Sequence, residues 1–315
     1  MAKGIAALAV GLVMAAVGAA TGSAATGGTT AVAPAGTAEA PYRVLDGYAR
    51  HGHQERLNTP ADEVDWLRKN RFMHGELDDF PADAIVLHRV DVETYLDQAG
   101  FQGSYTHLSY GFTDPTDLWV VRKPGTAPFT VVRGLPGAGG ITTQVAELQA
   151  LGARRVIHVG TAGLLSPDVP YGQIIVSDGS YRDGGAFLLA PDAKQQVARP
   201  DQEFTARVRT AAARSGLPSA RGIGYTMPIY YFQPGSILRD LLAIKGPDKP
   251  TFVEMEEGPF FTLATLMGLK AASVVVGSDR LVNDSGRLHQ SLWDGDLDAL
   301  ELAAFKVAVA AVTTP

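Results

Sequence analysis

The chain is predicted to fold as an α/β protein around a doubly wound sheet, and three observations carry that expectation. Phe129–Val132 reads as a strand, a turn holding Gly134, Gly137, Gly139 and Gly140 follows, Ile141–Leu151 has helical spacing, and Arg155–Val159 is again a strand; strand, glycine-rich turn, helix and strand in succession is how such sheets are wound. A second block repeats the alternation: Phe260–Met267 is helical in pattern, Gly268 ends it, and Ala271–Val276 is a short apolar run rich in valine that suits a buried strand. Composition agrees, since 315 residues with 46% hydrophobic and 19% charged side chains supply one large α/β domain or two small ones and do not describe a disordered chain.

Taken from the N-terminus, Lys3 followed by the apolar run Ile5–Gly18 and the small residues Ser23, Ala24 and Ala25 has the shape of a secretory signal peptide over residues 1–25. The run is too short for a membrane span, so export without stable membrane association is expected; an uncleaved anchor or a flexible tail is the other reading. Residues 26–59 form a Gly/Thr/Ala/Pro-rich linker and N-terminal extension, and residues 60–315 the folded domain. Within it the charged run Asp62–Arg71 around Trp66 predicts a short helix, Ala84–Leu87 a strand and Asp91–Ala99 a helix. Leu118–Arg122 and Phe129–Val132 are strands joined through a Lys-Pro-Gly turn, and Val145, Leu148 and Leu151 share one face of the helix that follows. After Arg155–Val159 comes Gly160-Thr161-Ala162-Gly163, and Leu297–Val312 predicts a long amphipathic helix packed on the sheet.

Several function classes are excluded or weakened. A net charge of −6, with no Lys/Arg run interleaved with aromatics, points away from nucleic acid and toward a small ligand. Cysteine is absent, which removes disulfides, thiol nucleophiles and cysteine-ligated metals. No His-x-x-x-His helix or acidic ladder occurs, so no metal and no cofactor is expected, and no Gly-x-Ser-x-Gly elbow marks a serine hydrolase. The turn GLPGAGG fits neither the dinucleotide nor the Walker pattern, and close helix packing accounts for its glycines as well as a phosphate would.

Function is written most densely between Val253 and Asp279. Glu254 and Glu256 flank Met255, so an extended or helix-entering segment can aim carboxylates at the hydroxyls of a polyol. Ser278 and Asp279 fall at the carboxyl end of the Ala271–Val276 strand, where open α/β sheets place ligands.

The succession GLPGAGGITTQVAELQALGARRVIHVGTAGLLSPDVPYGQIIVSDGSYRDGG, with the later VEME and GSD motifs, resembles the nucleoside phosphorylase superfamily: purine nucleoside and uridine phosphorylases and their nucleosidase relatives. The likeness runs from about Met73 to the C-terminus. It implies a three-layer α/β/α domain with a central mixed, partly barrel-like sheet, in an oligomer that is a dimer or a hexamer. Carried over by position, it implies that Met255 and Glu256 hold a ribose, Glu256 accepting from the 2′ and 3′ hydroxyls, and that Asp279 protonates a purine as it departs. The departing base carries negative charge that a proton in the transition state removes. Tyr230 falls where an aromatic ring stacks on the base, His74 where a histidine reaches a neighbouring subunit's 5′-hydroxyl, and Thr161 where a hydroxyl touches phosphate; Gly137 and Glu254 complete the expected substrate contacts.

The departures carry as much information. Where the family holds phosphate with three arginines, this chain has Val92, His107 and His158, and the Gly-Asp-Pro turn of the same site is His88-Arg89-Val90. A histidine is only partly charged near neutrality and lacks the bidentate fork of a guanidinium. Arg89 and Arg133 are near enough in sequence to stand in. Water in place of phosphate still breaks a glycosidic bond, with Asp91, or Glu93 in the same loop, activating it beside His158 or His107. For Glu254 a helix cap is the competing role, for His107 and His158 an ordinary structural histidine, for Tyr230 a core aromatic, and for Asp279 a turn residue. Three functions therefore stand: an exported enzyme cleaving the N-glycosidic bond of a purine-type nucleoside or nucleoside-like compound with water, the same cleavage with phosphate, or a binding or storage protein or a fold recruited to other chemistry.

Overall fold

The computed structural model describes residues 58–70, 77–89, 91–110, 116–227, 229, 234–283 and 285–314. The expected signal peptide, nearly all of the expected linker, His74 and Tyr230 lie outside the described residues. Helix α1 (Pro60–Lys69) begins at Thr59, whose hydroxyl accepts from the Asp62 amide while the Asp62 carboxylate accepts from the Thr59 amide, a reciprocal cap that fixes the start. Strand β1 (Asp83–Leu87) is buried along its whole length, and α2 (Val92–Gln98) follows from a cap at Asp91. Strands β2 (Tyr105–Tyr110), β3 (Thr116–Val121) and β4 (Phe129–Arg133) lead into α3 (Gly137–Leu151). Strands β5 (Arg155–Leu164) and β6 (Ile174–Tyr181), the short helix α4 (Gly184–Leu189), β7 (Val197–Ala198) and α5 (Gln202–Arg214) come next. The chain then runs through β8 (Ser219–Thr226), α6 (Gly235–Ala243), β9 (Pro250–Glu254), α7 (Glu257–Met267), β10 (Lys270–Val282), β11 (Leu288–Leu292) and α8 (Leu297–Thr313).

All the strands join one mixed sheet in the order β11-β10-β6-β8-β9-β5-β1-β4-β3-β2, with β7 beside β6. Because β10 also pairs with β5, the strands β10, β6, β8, β9 and β5 close into a small barrel from which β1, β4, β3 and β2 extend as a wing. Strand β5 runs parallel to β1 and β10 and antiparallel to β9, which makes the sheet mixed. Period-two burial sorts the side chains into layers. Ile85, Ile157 and Val274 face α2, α5 and α8; Val86, Val156 and Ala271 face α1, α3 and α7; Leu164, Ile175, Phe252 and Val275 form a separate cluster contributed by barrel strands. The three layers are the architecture the sequence resemblance implied. Helix α7 buries Phe260 and Phe261 completely, each worth about 1.5–3 kcal/mol of apolar transfer, and ends at Gly268, whose φ of 68° is left-handed backbone that glycine adopts without cost. Among the described residues no helix is long and apolar enough to cross a membrane.

Two expected boundaries move. The strand expected over Arg155–Val159 does not end there but continues through Gly160–Gly163 to Leu164, because the barrel gives this stretch partners on both sides, β10 throughout and β9 at Gly163 and Leu164. Ser278 and Asp279 likewise lie inside a strand and not at its end: β10 runs on to Val282, with Asp279 opposite Leu292 of β11. Pairing with a hairpin partner, invisible to a local hydrophobic pattern, supplies the extra length.

Candidate functional site

The site grows from the junction of β9 and α7. At the end of β9 the buried Glu254 turns back on its own chain. Its Oε2 accepts from the amides of Glu256 and Glu257, and its Oε1 accepts from the hydroxyls of Thr226 (2.6 Å) and Ser180 (2.8 Å). Helix α7 thus starts on a carboxylate instead of on a side chain of its own cap residue, Glu256. Glu254 was placed among the substrate contacts from sequence, but its described bonds are those of the competing role, the helix anchor. Glu257, fully buried, accepts from Ser177 (2.6 Å) and Ser273 (2.6 Å), and burial followed by the charge of Glu254 pushes its carboxyl well above the usual range.

Between them Glu256 points elsewhere. Its Oε1 accepts from the amide of Gly137 (2.6 Å), at the N-terminus of α3, and its Oε2 from the amide of Met255 (3.2 Å). Gly137 has a φ of 76°, so the peptide that donates is held in left-handed backbone. Gln144 pins the preceding loop, donating to the Arg133 carbonyl (2.8 Å) and accepting from the Leu135 amide (2.9 Å). Burial, and after it the charge of Glu254, raises the Glu256 carboxyl to about 7.

Two histidines face this carboxylate. His158 lies on β5 between Val86 and Ser273 of the neighbouring strands and is 1% exposed; burial, and secondarily His88, holds it well below the usual histidine range. Ser273 donates to Glu257 and meets Nδ1 of His158 (2.8 Å); the tautomer with the proton on Nδ1 satisfies both contacts and leaves a lone pair on Nε2. His88 follows β1, its ring centroid 4.9 Å from that of His158 at an interplanar angle of 73°, and burial pushes it down to about 4. Nε2 of each ring is buried with no hydrogen-bond partner. Ligand atoms of His88, His158 and Glu256 all lie within 4.8 Å of one another. Glycines leave the room: a Cβ on Gly134 would stand 2.7 Å from the His88 ring, and one on Gly160 would stand 3.1 Å from Nε2 of His158.

The structure therefore gathers His158, Glu256, Met255 and Gly137, and adds His88, which sequence reasoning registered only as part of a lost turn. The signal that could have found it is its position directly after β1, one residue beyond the Leu87–Val159 pair with β5. Other expected residues have described surroundings of their own. Asp91 caps α2, one oxygen accepting from the Thr94 amide (3.2 Å) and the other from its hydroxyl (2.7 Å), and none of its described contacts reaches His158 or Glu256. His107 is on the edge of the wing, stacked on Trp119 at 4.7 Å and 3.2 Å from Asp117, the carboxylate that also pairs with Arg133. Arg89 is tied to α8 through Asp298 (2.6 Å) and Glu301 (2.9 Å). Thr161 is exposed on β5. Asp279 accepts from Ser278 (3.0 Å) and Gln290 (3.1 Å), and its oxygen lies 3.2 Å from where a Cβ of Gly163 would be.

A family profile described as the Phosphorylase superfamily matches residues 114–313. A uridine phosphorylase of Thermococcus kodakarensis is 31% identical over 168 residues, covering 48% of this chain and 58% of that protein. A DeoD-type purine nucleoside phosphorylase of Bacillus velezensis is 28% identical over 217 residues, covering 69% of this chain and 88% of that one. Among solved structures, the purine nucleoside phosphorylase of Toxoplasma gondii in complex with immucillin-H superposes with a TM-score of 0.60 at 17% identity, over 77% of this chain and 94% of the other, a likeness of fold.

Proposed function

The chain belongs to the phosphorylase superfamily, and from that premise we propose that it cleaves the N-glycosidic bond of a purine-type nucleoside or a nucleoside-like compound, with water in place of phosphate. The observation that carries this reading is the charge state of the site. The guanidinium groups nearest in sequence, Arg89 and Arg133, are held by Asp298, Glu301 and Asp117, while the groups that converge are two imidazoles kept neutral by burial and a carboxyl. A phosphate dianion there meets the carboxyl of Glu256; a water molecule meets two buried imidazole nitrogens that have no hydrogen-bond partner.

In this reading Glu256 accepts from the ribose 2′ and 3′ hydroxyls, an interaction that strengthens as the sugar becomes an oxocarbenium ion. Water held by His88 and His158 attacks C1′, an imidazole taking its proton as the carbon–nitrogen bond opens. Asp279, steadied by Ser278 and Gln290, supports the departing base with a proton or hydrogen bond. Export, from the leader-like residues 1–25, and assembly into an oligomer belong to the same proposal. The test is to incubate the protein with adenosine, inosine, guanosine, uridine and 5′-deoxy analogues, with and without phosphate, and follow free base by chromatography. Release that does not depend on phosphate supports the reading; release only with phosphate overturns it, and no release in either condition turns the site toward binding or another chemistry.

A further inference from the structure

We propose that Nε2 of His88, Nε2 of His158 and the carboxylate of Glu256 form a binding site for one divalent transition-metal ion of the zinc class. The three groups come from the ends of β1, the middle of β5 and the β9–α7 junction, and their ligand atoms lie within 4.8 Å of one another. A tetrahedral ion with bonds of about 2.0–2.2 Å brings its ligand atoms to about 3.3–3.5 Å apart, so closure needs shifts on the order of 1 Å at the ends of three side chains.

Satisfaction of the polar atoms is the stronger argument. Both Nε2 atoms are buried and without a hydrogen-bond partner, a state that the interior penalises. Ser273 meets Nδ1 of His158 and donates to Glu257; in the tautomer that satisfies this pair, Nε2 of His158 presents a lone pair toward the oxygens of Glu256 and the ring nitrogen of His88. A cation between them relieves all of them together. The surroundings of His158 are those of a supported ligand: Ser273 orients its Nδ1, Glu257 orients Ser273, and Ser177 completes the chain. Gly134 and Gly160 keep the flank of the two rings free of side-chain atoms.

Donor type selects the ion. Two imidazole nitrogens and one carboxylate suit zinc and its neighbours, whereas magnesium and calcium take oxygen ligands. Three protein ligands leave a fourth position for water. Each Glu256 oxygen uses one lone pair on a backbone amide, so one oxygen remains for the ion and the other for a ribose hydroxyl. Binding of the ion stands independently of the proposed cleavage; only its consequence rests on that reading: a bound ion would supply water acidified toward neutrality in place of the imidazole as proton acceptor.

The test uses the full chain, stripped with a chelator and titrated with Zn²⁺ by calorimetry and with Co²⁺ by visible absorption. One equivalent of each is expected, cobalt giving the intense bands of a four-coordinate ion. His88→Gln and His158→Gln should each weaken binding at least 100-fold and Ser273→Ala about 10–100-fold, while His289→Gln, on β11, should leave it unchanged. Circular dichroism identifies any variant that fails to fold, and His88→Gln, at the half-buried position, then decides. A folded wild-type chain that takes up neither ion overturns the proposal, as does binding that survives both histidine substitutions. Binding lost in the variants, in a chain that releases no base from any nucleoside, upholds the metal site and removes the proposed function.

Discussion

Behind the site and within it lie two sets of buried polar groups that share the segment Glu254–Glu257 and differ in how completely they are paired. Behind it, Glu254 and Glu257 take six hydrogen bonds from Ser177, Ser180, Thr226, Ser273 and two amides. Within it, His88 and His158 each keep a buried nitrogen without a partner, and Glu256 spends only two of its lone pairs, on amides. A fully paired buried network specifies a position for the backbone; an unfinished one stores capacity for something that arrives later. The lesson is that neighbouring carboxylates two residues apart in one motif divide into scaffold and chemistry by what their oxygens already hold.

The sharpest way to break this comparison is to exchange the consequences of its two carboxylates. Glu256→Ala should lower base release about 10²–10³-fold, the scale of losing one pre-organised transition-state contact, with the melting temperature held or slightly raised because a poorly solvated carboxyl is removed. Glu254→Ala should instead destabilise the fold by about 3–5 kcal/mol in denaturant titration, since it strands two amides and two hydroxyls in the interior. If Glu254→Ala unfolds normally and only activity falls, the division is wrong. Gly134→Ala comes next: its Cβ would stand 2.7 Å from the His88 ring, so the imidazole must move, and base release should drop about tenfold for a stability cost of about 1–3 kcal/mol. Steady-state kinetics beside thermal unfolding separates the two effects.

The smallest effect belongs to a third polar cluster. A cavity of about 740 Å³ between α5 and the β6–β8 strands is lined by Asp178, Arg199, Arg209, Arg221 and Asp248. Asp178 pairs with Arg209 and Arg221, and Arg199 pairs with Asp248. Its charges answer one another, in the manner of the scaffold behind the site and not of the site itself. Arg221→Ala, at a largely exposed position, should cost less than about 1 kcal/mol and leave base release unchanged; a clear loss of activity would show that pairing does not separate structure from chemistry here.

How far all this is legible in the sequence depends on the range of the interaction. Helix α7 is readable because Phe260–Met267 and Gly268 act within one or two turns, and so is the core of β10, whose apolar run is buried from Ala271 to Val276. The lengths of β5 and β10 were underestimated at Gly160–Gly163 and at Ser278–Asp279, because the partners that extend them, β9 and β11, are far along the chain or show no strong pattern of their own. Of the site, the resemblance marked Glu256 and His158 by position but gave no reason for His88, and it offered Asp91 and His107 as equals that the structure engages elsewhere.

By itself the sequence determined the α/β class, the glycine-bounded helices and the absence of thiol chemistry, all of which follow from residue type and short-range spacing, while the loss of the arginines follows from the family resemblance. Only the tertiary structure decided that Glu254 is an anchor and Glu256 is not, that Arg89 and Arg133 are already held by carboxylates, and that His88 meets His158. The reason is that pairing and burial are properties of atoms brought together by the closed barrel and its neighbouring strand β1, from positions that stand far apart along the chain, and hydrogen-bond capacity can be counted only once every neighbour is in place.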